Sequence, residues 1–363
     1  MIELNGNYGE GGGALIRTAL ALSALTGQGF MVNNIRAGRD KPGLKAQHLA
    51  AIKVLQEICQ AKISEVKIGS MEMWFEPEEV KRGIYNIEIG TAGSISLLLQ
   101  ALILPCLFAK GKVTLNIKGG TCGKWQASVY YLQNLLLPHL QRFVEKIELK
   151  VIKKGYYPRG GGEVKLEITP RMKKETDFGA FNEELQVKCA KINLLVQDEL
   201  EQIRGIVNLS AELQEKEVGE RIKKAAEGSL KEFAVAKNIR IEYSKTDSVG
   251  GELVLWALFS EKGKINFDNP VVLGGDALIE KGKSSESIGK EAAEKLKREI
   301  ASGAAVDHYI EDQLIQFMGL LPGSEIEVSE LSEHTKTNIY VVEKFLPVSF
   351  KIKGKKISVE KND

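Results

Sequence analysis

Apolar residues along the chain switch repeatedly between two spacings. Short stretches alternate apolar with polar, as half-buried strands do. Each is followed, after a glycine-rich turn, by an apolar run long enough for a helix. Residues 2–26, IELNGNYGEGGGALIRTALALSALT, set the pattern, and residues 86–109, NIEIGTAGSISLLLQALILPCLFA, repeat it with a shorter turn. The segments that follow also correspond. FMVNNIRAGRDKPGLKAQHLAAIKVLQEI and KVTLNIKGGTCGKWQASVYYLQNLL each read as strand, Gly-containing loop and helix. Short strands close both units: SEVKIGS and MEMWFEP in the first, KIELKVIKKG in the second. A β-α-β-α-β-β unit of about 80 residues is therefore predicted twice.

The C-terminus predicts a third copy. AVDHYIEDQLIQFMGLL reads as its first helix, SEIEVSEL as its second strand and HTKTNIYVVEKFL as its second helix. PVSFKIKG and KKISVEK close it, and its first strand is expected in GGGEVKLEIT, near 160–169. An insertion then separates that strand from its helix. It is expected to hold a strand (VKCAKINLLV), a charged helix near 212–234, two strands (NIRIEYS, ELVLWALF) and a second charged helix near 286–301. The expected fold class is thus mixed α/β (α+β). Three repeats at 1–181 and 303–363 form a large domain, and 182–302 form a smaller inserted α+β domain.

Composition narrows the function classes. With 50 Lys+Arg against 48 Asp+Glu the chain is no polycation, so nucleic acid would have to bind a local patch. Its four cysteines form no C-x-x-C pair, which argues against a zinc ribbon and suits a reducing compartment. MIELNGNYGEGGG has neither a basic nor an apolar leader segment, so a cytoplasmic protein is expected. The longest apolar run, near 94–109, is short for a membrane span and contains Gln100 and Pro105; it reads as a buried helix.

Several residues could carry chemistry. GEGGG (9–13) opens a helix directly after a strand, where backbone N–H groups bind anions. It matches neither a dinucleotide fingerprint nor a Walker A loop, and a plain tight turn explains it as well. Glu10 and Arg17 are seven apart, so on a helix beginning near Glu10 they share a face. Arg17 interrupts an apolar run and needs a partner or a phosphate. IRAGRDKPGLKAQH brings Arg36, Arg39, Lys41 and Lys45 together before a helix that carries Gln47 and His48. That suits phosphate binding, although a basic loop can simply be solvated. Gln100 sits mid-helix and is either a structural amide or a ligand contact. No histidine pair has HExxH spacing. His334 opens a helix start, where a neutral and potentially nucleophilic ring is expected, with a capping role as the alternative. Tyr309–Gln313 places an aromatic one turn from acids and amides, an arrangement that could hold a purine.

Taken together, GEGGGALIRTALALSALTG, IRAGRDKPGLKAQHLAA, the GTAGS…LLLQ stretch, YYPRGGG, AAVDHYIEDQL and HTKTNIYVVEKFLPV resemble the RNA 3′-terminal phosphate cyclase family, in family order from residue 2 to about 350. The resemblance implies a large domain of three repeats, like those of the initiation-factor and enolpyruvyl-transferase folds, with a smaller inserted domain. It implies ATP and a divalent metal, Mg2+ or Mn2+, and an RNA with a 3′-phosphate end as partner. In the implied reaction a histidine takes AMP from ATP and passes it to the RNA 3′-phosphate. The vicinal 2′-hydroxyl then expels AMP to leave a 2′,3′-cyclic phosphate. Carried onto this sequence, the nucleophile is His334 in HTKTN and the metal-binding acid is Glu10. The phosphate- or RNA-binding residues are Arg17, Arg36, Arg39 and Gln47. The ATP contacts are Gln100, Tyr309, Ile310, Glu311, Asp312 and Gln313.

One segment departs from the family pattern. GGTCGKWQASVYY (119–131) keeps GGT, but Cys122, Lys124 and Trp125 stand where an acid or Asn and a proline-rich run are usual. Two other readings compete with the cyclase: a non-catalytic cyclase-like ribosome-assembly protein, and an enolpyruvyl transferase on a related fold. His334, Glu10, Arg17 and Arg39 argue against the first. The second would form no protein–AMP.

Overall fold

The first strand, β1 (Ile2–Asn5), leads through the glycine turn into helix α1 (Ala14–Thr26), then β2 (Phe30–Asn33), α2 (Ala46–Ile58), β3 (Lys62–Ile63) and β4 (Met73–Glu76). The computed structural model describes residues 1–90, 92–175 and 177–362; Thr91 of the GTAGS turn lies outside them. The strands form a sheet in the order β1-β2-β4-β3, with β1 and β2 parallel and the other pairs antiparallel. The next segment runs β5 (Gly83–Glu88), α3 (Ile95–Cys106) and β6 (Val113–Gly119). A broken helix follows: α4 (Val129–Tyr131), a π-helical stretch over Leu132–Leu136, and α5 (Leu137–Leu140). Strands β7 (Val144–Lys153) and β8 (Gly162–Pro170) complete a sheet in the order β5-β6-β8-β7, with the same pattern of parallel and antiparallel pairs.

After α6 (Phe178–Lys188) comes the short strand β9 (Asn193–Leu194). Then follow β10 (Glu199–Ser210), α7 (Val218–Ser229), β11 (Ala236–Ser244), β12 (Gly251–Ser260), β13 (Val272–Leu278) and α8 (Ser285–Ala301). The chain ends with α9 (Glu311–Leu320), β14 (Glu325–Glu327), α10 (Glu333–Phe345), β15 (Val348–Lys353) and β16 (Lys356–Lys361). Strands β10 to β13 make their own sheet, ordered β11-β10-β12-β13, with α7 and α8 packed on each other and α8 on β12 and β13. The last sheet runs β9-β14-β16-β15.

These pairings correct three expectations. The segment at 160–169 is no first strand of a third unit: β8 pairs with β6 and β7, and β9 pairs parallel with β14 instead. The expected strand VKCAKINLLV is mostly the end of α6 and a loop, because Asp177 caps a helix whose Phe181 and Leu185 are buried. Residue 182 lies within α6, and β9, which follows it, pairs with β14. SEVKIGS also forms no strand beyond β3. Its backbone braces the basic loop instead: Leu44 N donates to Ser70 O at 3.0 Å and Gly69 N to Leu44 O at 2.8 Å.

Helix α1 is buried over all of its residues, Arg17 included. It packs against α3, α10 and α2. A helix that is apolar all round can only be stable in such a position. Helix α3, the expected apolar run, is buried over most of its length too. Among the described residues no helix is long and apolar enough to cross a membrane.

The inserted sheet meets the rest of the chain through buried polar groups. Asp307 accepts from Tyr131 Oη at 2.7 Å and Gly274 N at 2.9 Å through Oδ2, and from the Tyr309 and Ile310 amides at 3.0 Å through Oδ1. Tyr156 donates to Asn208 at 2.7 Å, and Asn208 to the buried Glu252 at 3.1 Å. Burial pushes Glu252 up to about 8. Removing one acceptor that serves four donors leaves them all without that partner. Asp307→Ala is therefore expected to destabilise the fold by about 3 kcal/mol, which a shift of the urea unfolding midpoint at unchanged m-value would report.

Candidate active site

The GEGGG turn does not belong to the helix that follows it. Helix α1 starts at Ala14, with Gly13 at its N-cap, so Glu10 sits in the turn and shares no helical face with Arg17. What brings the Glu10 carboxylate inward is the absence of side chains after it. A Cβ at Gly12 would overlap Glu10 Oε1, and one at Gly13 would overlap His48 Nε2. The carboxylate folds back over its own backbone, which only glycine leaves open.

Two cations meet that carboxylate from distant parts of the chain. Arg39 Nη2 donates to Oε2 at 2.7 Å and to the Glu10 carbonyl at 2.9 Å. His334 Nδ1 lies 3.0 Å from Oε1. His334 stands in the first turn of α10, whose N-cap Ser332 accepts from Thr335 N at 3.1 Å. The Ser332 amide in turn donates to Glu311 Oε1 at 2.9 Å, so α9 holds the start of α10.

The expectation that a helix start would favour a neutral His334 is corrected here. The Glu10 contact is the larger influence; it outweighs desolvation and raises the imidazole pKa above its ordinary 6.5. Burial pulls Glu10 upward, but His334, Arg39 and Arg17 together hold it below its ordinary value. His48 shows the opposite balance. Burial, then Arg17, Arg36 and Lys45, push it down to about 3. Its Nδ1 accepts from Lys45 N at 3.0 Å, which puts the proton on Nε2. That buried Nε2 finds no protein partner among the described residues.

Beneath this layer lies Arg17, whose Nε donates to Gln100 Oε1 at 2.8 Å. Burial lowers the guanidinium pKa, against the attraction of Asp312 and Glu10. Arg17, Gln100, Asp312, Gln313 and Asn338 line one small pocket where α1, α3, α9 and α10 converge. Burial raises Asp312 to about 6, with His334 and Arg17 opposing. Asn338 fixes the pocket's far wall: it accepts from Thr18 Oγ1 at 2.8 Å and donates to the Asp312 carbonyl at 2.9 Å.

The remaining expected residues divide. Arg36 is buried in a left-handed backbone conformation, and its Nη1 donates to Lys41 O at 2.7 Å and Gly43 O at 2.9 Å. It fastens the basic loop from inside. Gln47 is half-buried in the first turn of α2. Tyr309 is half-buried, edge-on to Tyr131 with centroids 5.2 Å apart. Ile310 is core and Glu311 is spent on Ser332, so of the 309–313 run it is Asp312 and Gln313 that face the pocket. The departing loop is tied down at Thr121, which donates to Gly155 O at 3.1 Å, and at Lys124, which pairs with Glu280 at 2.7 Å. Trp125 at its tip is 93% exposed.

Sequence reasoning read His48 as a structural residue of its helix and passed over Thr18 and Asn338. Asn338 follows His334 by four residues, one helical turn, and its place in HTKTN was the available signal. Among the described residues no cluster of three or more His, Cys, Asp or Glu forms a metal centre.

The family described as RNA 3′-terminal phosphate cyclase matches residues 8–352. The RNA 3′-terminal phosphate cyclase of Methanopyrus kandleri is 40% identical over 98% of this chain and 96% of its own. That of Archaeoglobus fulgidus is 38% identical over 99% of this chain and 100% of its own. That of Pyrococcus furiosus is 38% identical over 98% and 96% respectively.

The Glu10–His334 contact makes a direct prediction. Followed by NMR, His334 should titrate above 6.5 in the native chain, and Glu10→Gln should move that titration downward. An unmoved titration would show that the carboxylate does not govern the ring.

Proposed function

The chain is an enzyme belonging to the RNA 3′-terminal phosphate cyclase family, and from that membership we propose that it uses ATP to convert RNA 3′-phosphate ends into 2′,3′-cyclic phosphates through a covalent His334–AMP. The observation that carries this reading is the Glu10–His334 contact. A carboxylate facing Nδ1 favours the tautomer with the proton on that nitrogen, leaving the Nε2 lone pair as the nucleophile.

In the first step Nε2 attacks the α-phosphorus of ATP. A P–N bond forms, the bond to the bridging oxygen breaks, and its electron pair leaves with pyrophosphate. Glu10 stabilises the cationic ring that results. In the second step a 3′-phosphate oxygen of the RNA attacks the same phosphorus, and the P–N electron pair returns to Nε2. In the third the terminal 2′-hydroxyl attacks the 3′-phosphorus, gives up its proton and expels AMP. Negative charge builds on phosphate oxygens in each step, and fixed guanidinium groups stabilise it without reorganising. In this reading Arg39, bonded to Glu10, and the buried Arg17 do that work. Gln100, Asp312 and Gln313 contact the nucleotide beside Arg17, with Tyr309 toward adenine. Arg36 and Gln47 serve the RNA phosphate, Arg36 by shaping the loop that presents Arg39.

A divalent metal, Mg2+ or Mn2+, fits at Glu10. Its carboxylate, beside the His334 ring, supplies the hard oxygen donor that such an ion takes. One protein carboxylate completed by substrate phosphates and water is how magnesium is commonly held at nucleotides. Bound there, the ion would supply further neutralisation of phosphate charge.

The test is incubation with ATP labelled in its α-phosphate and a divalent metal. A covalent, acid-labile adduct is expected in the native protein and absent in His334→Ala; addition of 3′-phosphorylated RNA should discharge it. A folded protein that binds RNA yet forms no adduct would instead fit a non-catalytic assembly protein. The adduct should form faster as pH rises through the elevated His334 pKa, because only the neutral ring attacks. Arg39→Ala is expected to slow labelling by at least tenfold, about 1.4 kcal/mol of barrier.

A further inference from the structure

Three successive residues of the glycine turn lie along one face of α10. Glu10 meets His334 at 3.0 Å. Gly9 rests on Thr337 so closely that a Cβ there would overlap Thr337 Oγ1. Tyr8 stacks on Tyr340, with ring centroids 4.0 Å apart and planes 17° from parallel. The helix positions are 334, 337 and 340, three apart each time, so they share a face. Six residues separate His334 from Tyr340, which puts the rings about 9 Å along the axis from the histidine.

Tyr340 packs against the hydrophobic core. Tyr8 is 43% exposed although it lies two residues from the Glu10 carboxylate. Its partner is anchored beneath it: Tyr340 Oη accepts from Asn5 N at 3.4 Å. The surroundings are cationic. Lys344 Nζ lies 5.8 Å from the Tyr340 ring centroid. Asn7 Oδ1 accepts from Gly38 N at 2.9 Å, tying the basic loop with exposed Arg39 and Lys41 to the same turn. The ATP-side groups lie elsewhere: Asn338 turns toward Asp312 and α9, while Thr337 and Tyr340 face the glycine turn.

We propose that Tyr8, backed by Tyr340, is the stacking platform for the base of the RNA's terminal nucleotide, holding its 3′-phosphate at His334. The proposal rests on the cyclase reading and deepens it by naming where the RNA end lies. A single-stranded end offers a free base face, and aromatic stacking is tolerant of which base it is. Cations beside the platform would then track the backbone phosphates.

The probe is a 3′-phosphorylated RNA oligonucleotide with 2-aminopurine as its terminal base. The native protein should quench its fluorescence on binding. In Tyr8→Ala the quench should be lost and KM for the oligonucleotide should rise about tenfold; Tyr8→Phe should behave as the native protein, since the ring and not the hydroxyl stacks. Unchanged quench and KM in Tyr8→Ala would overturn the proposal. So would a rise in KM accompanied by a shifted His334 titration, which would mean that the ring merely supports Glu10. The quench needs no turnover, so its failure is separate from a failure of α-labelled ATP to mark the native protein.

Discussion

The site depends on one carboxylate. At Glu10 the glycine turn, the basic loop and the last helix meet, through its own backbone, Arg39 and His334. Arg39 is exposed on a glycine-flanked loop, and His334 stands at a helix start with solvent on one side. The acid can occupy its place because Gly12 offers no side chain to displace it. A charge so enclosed is costly unless paired, and two cations from opposite directions meet that cost.

The same cluster sets two histidines to opposite tasks. His48 has Arg17, Arg36 and Lys45 for neighbours, so burial and like charge both keep it neutral. His334 has a carboxylate at 3.0 Å, which resists burial and holds a proton on the ring more firmly. The two imidazoles share an ordinary pKa and differ in how deeply the fold buries them and in which charges it brings to them. Arg17 mediates between the layers. It is an arginine inside a fully buried helix, tolerated because Gln100 accepts from it and Asp312 and Glu10 balance it.

Much of the architecture was legible in the pattern of apolar residues. Strands and helices such as β1, α1, α3, β12 and α10 fall where alternation and apolar runs put them, because both periodicities follow from backbone geometry alone. The misreadings are equally physical. Residues 160–169 alternate as any strand does, and alternation says nothing about partners; only pairing with β6 and β7 assigns β8 to the second sheet. β9 is two residues long, too short to carry a period. VKCAKINLLV looks strand-like from its β-branched and apolar residues, but an Asp cap upstream and two buried positions on one face carry α6 into it.

The chemistry on offer is written in the order of residues: a glycine turn holding one acid, a loop of arginines, an arginine and a glutamine inside apolar helices, and a histidine at a helix start. Those are local facts, set by composition and short-range spacing. Which of them meet is set by how the helices and loops pack. Glu10 and His334 are more than 300 residues apart, and their contact exists because α1 packs between α3 and α10. Packing also decided that Arg36 faces inward to the carbonyls of its own loop while Arg39 reaches Glu10. The direction of the His334 shift was likewise undecidable from the chain, since the helix start argues for a neutral ring and a carboxylate from the other end of the molecule overrules it.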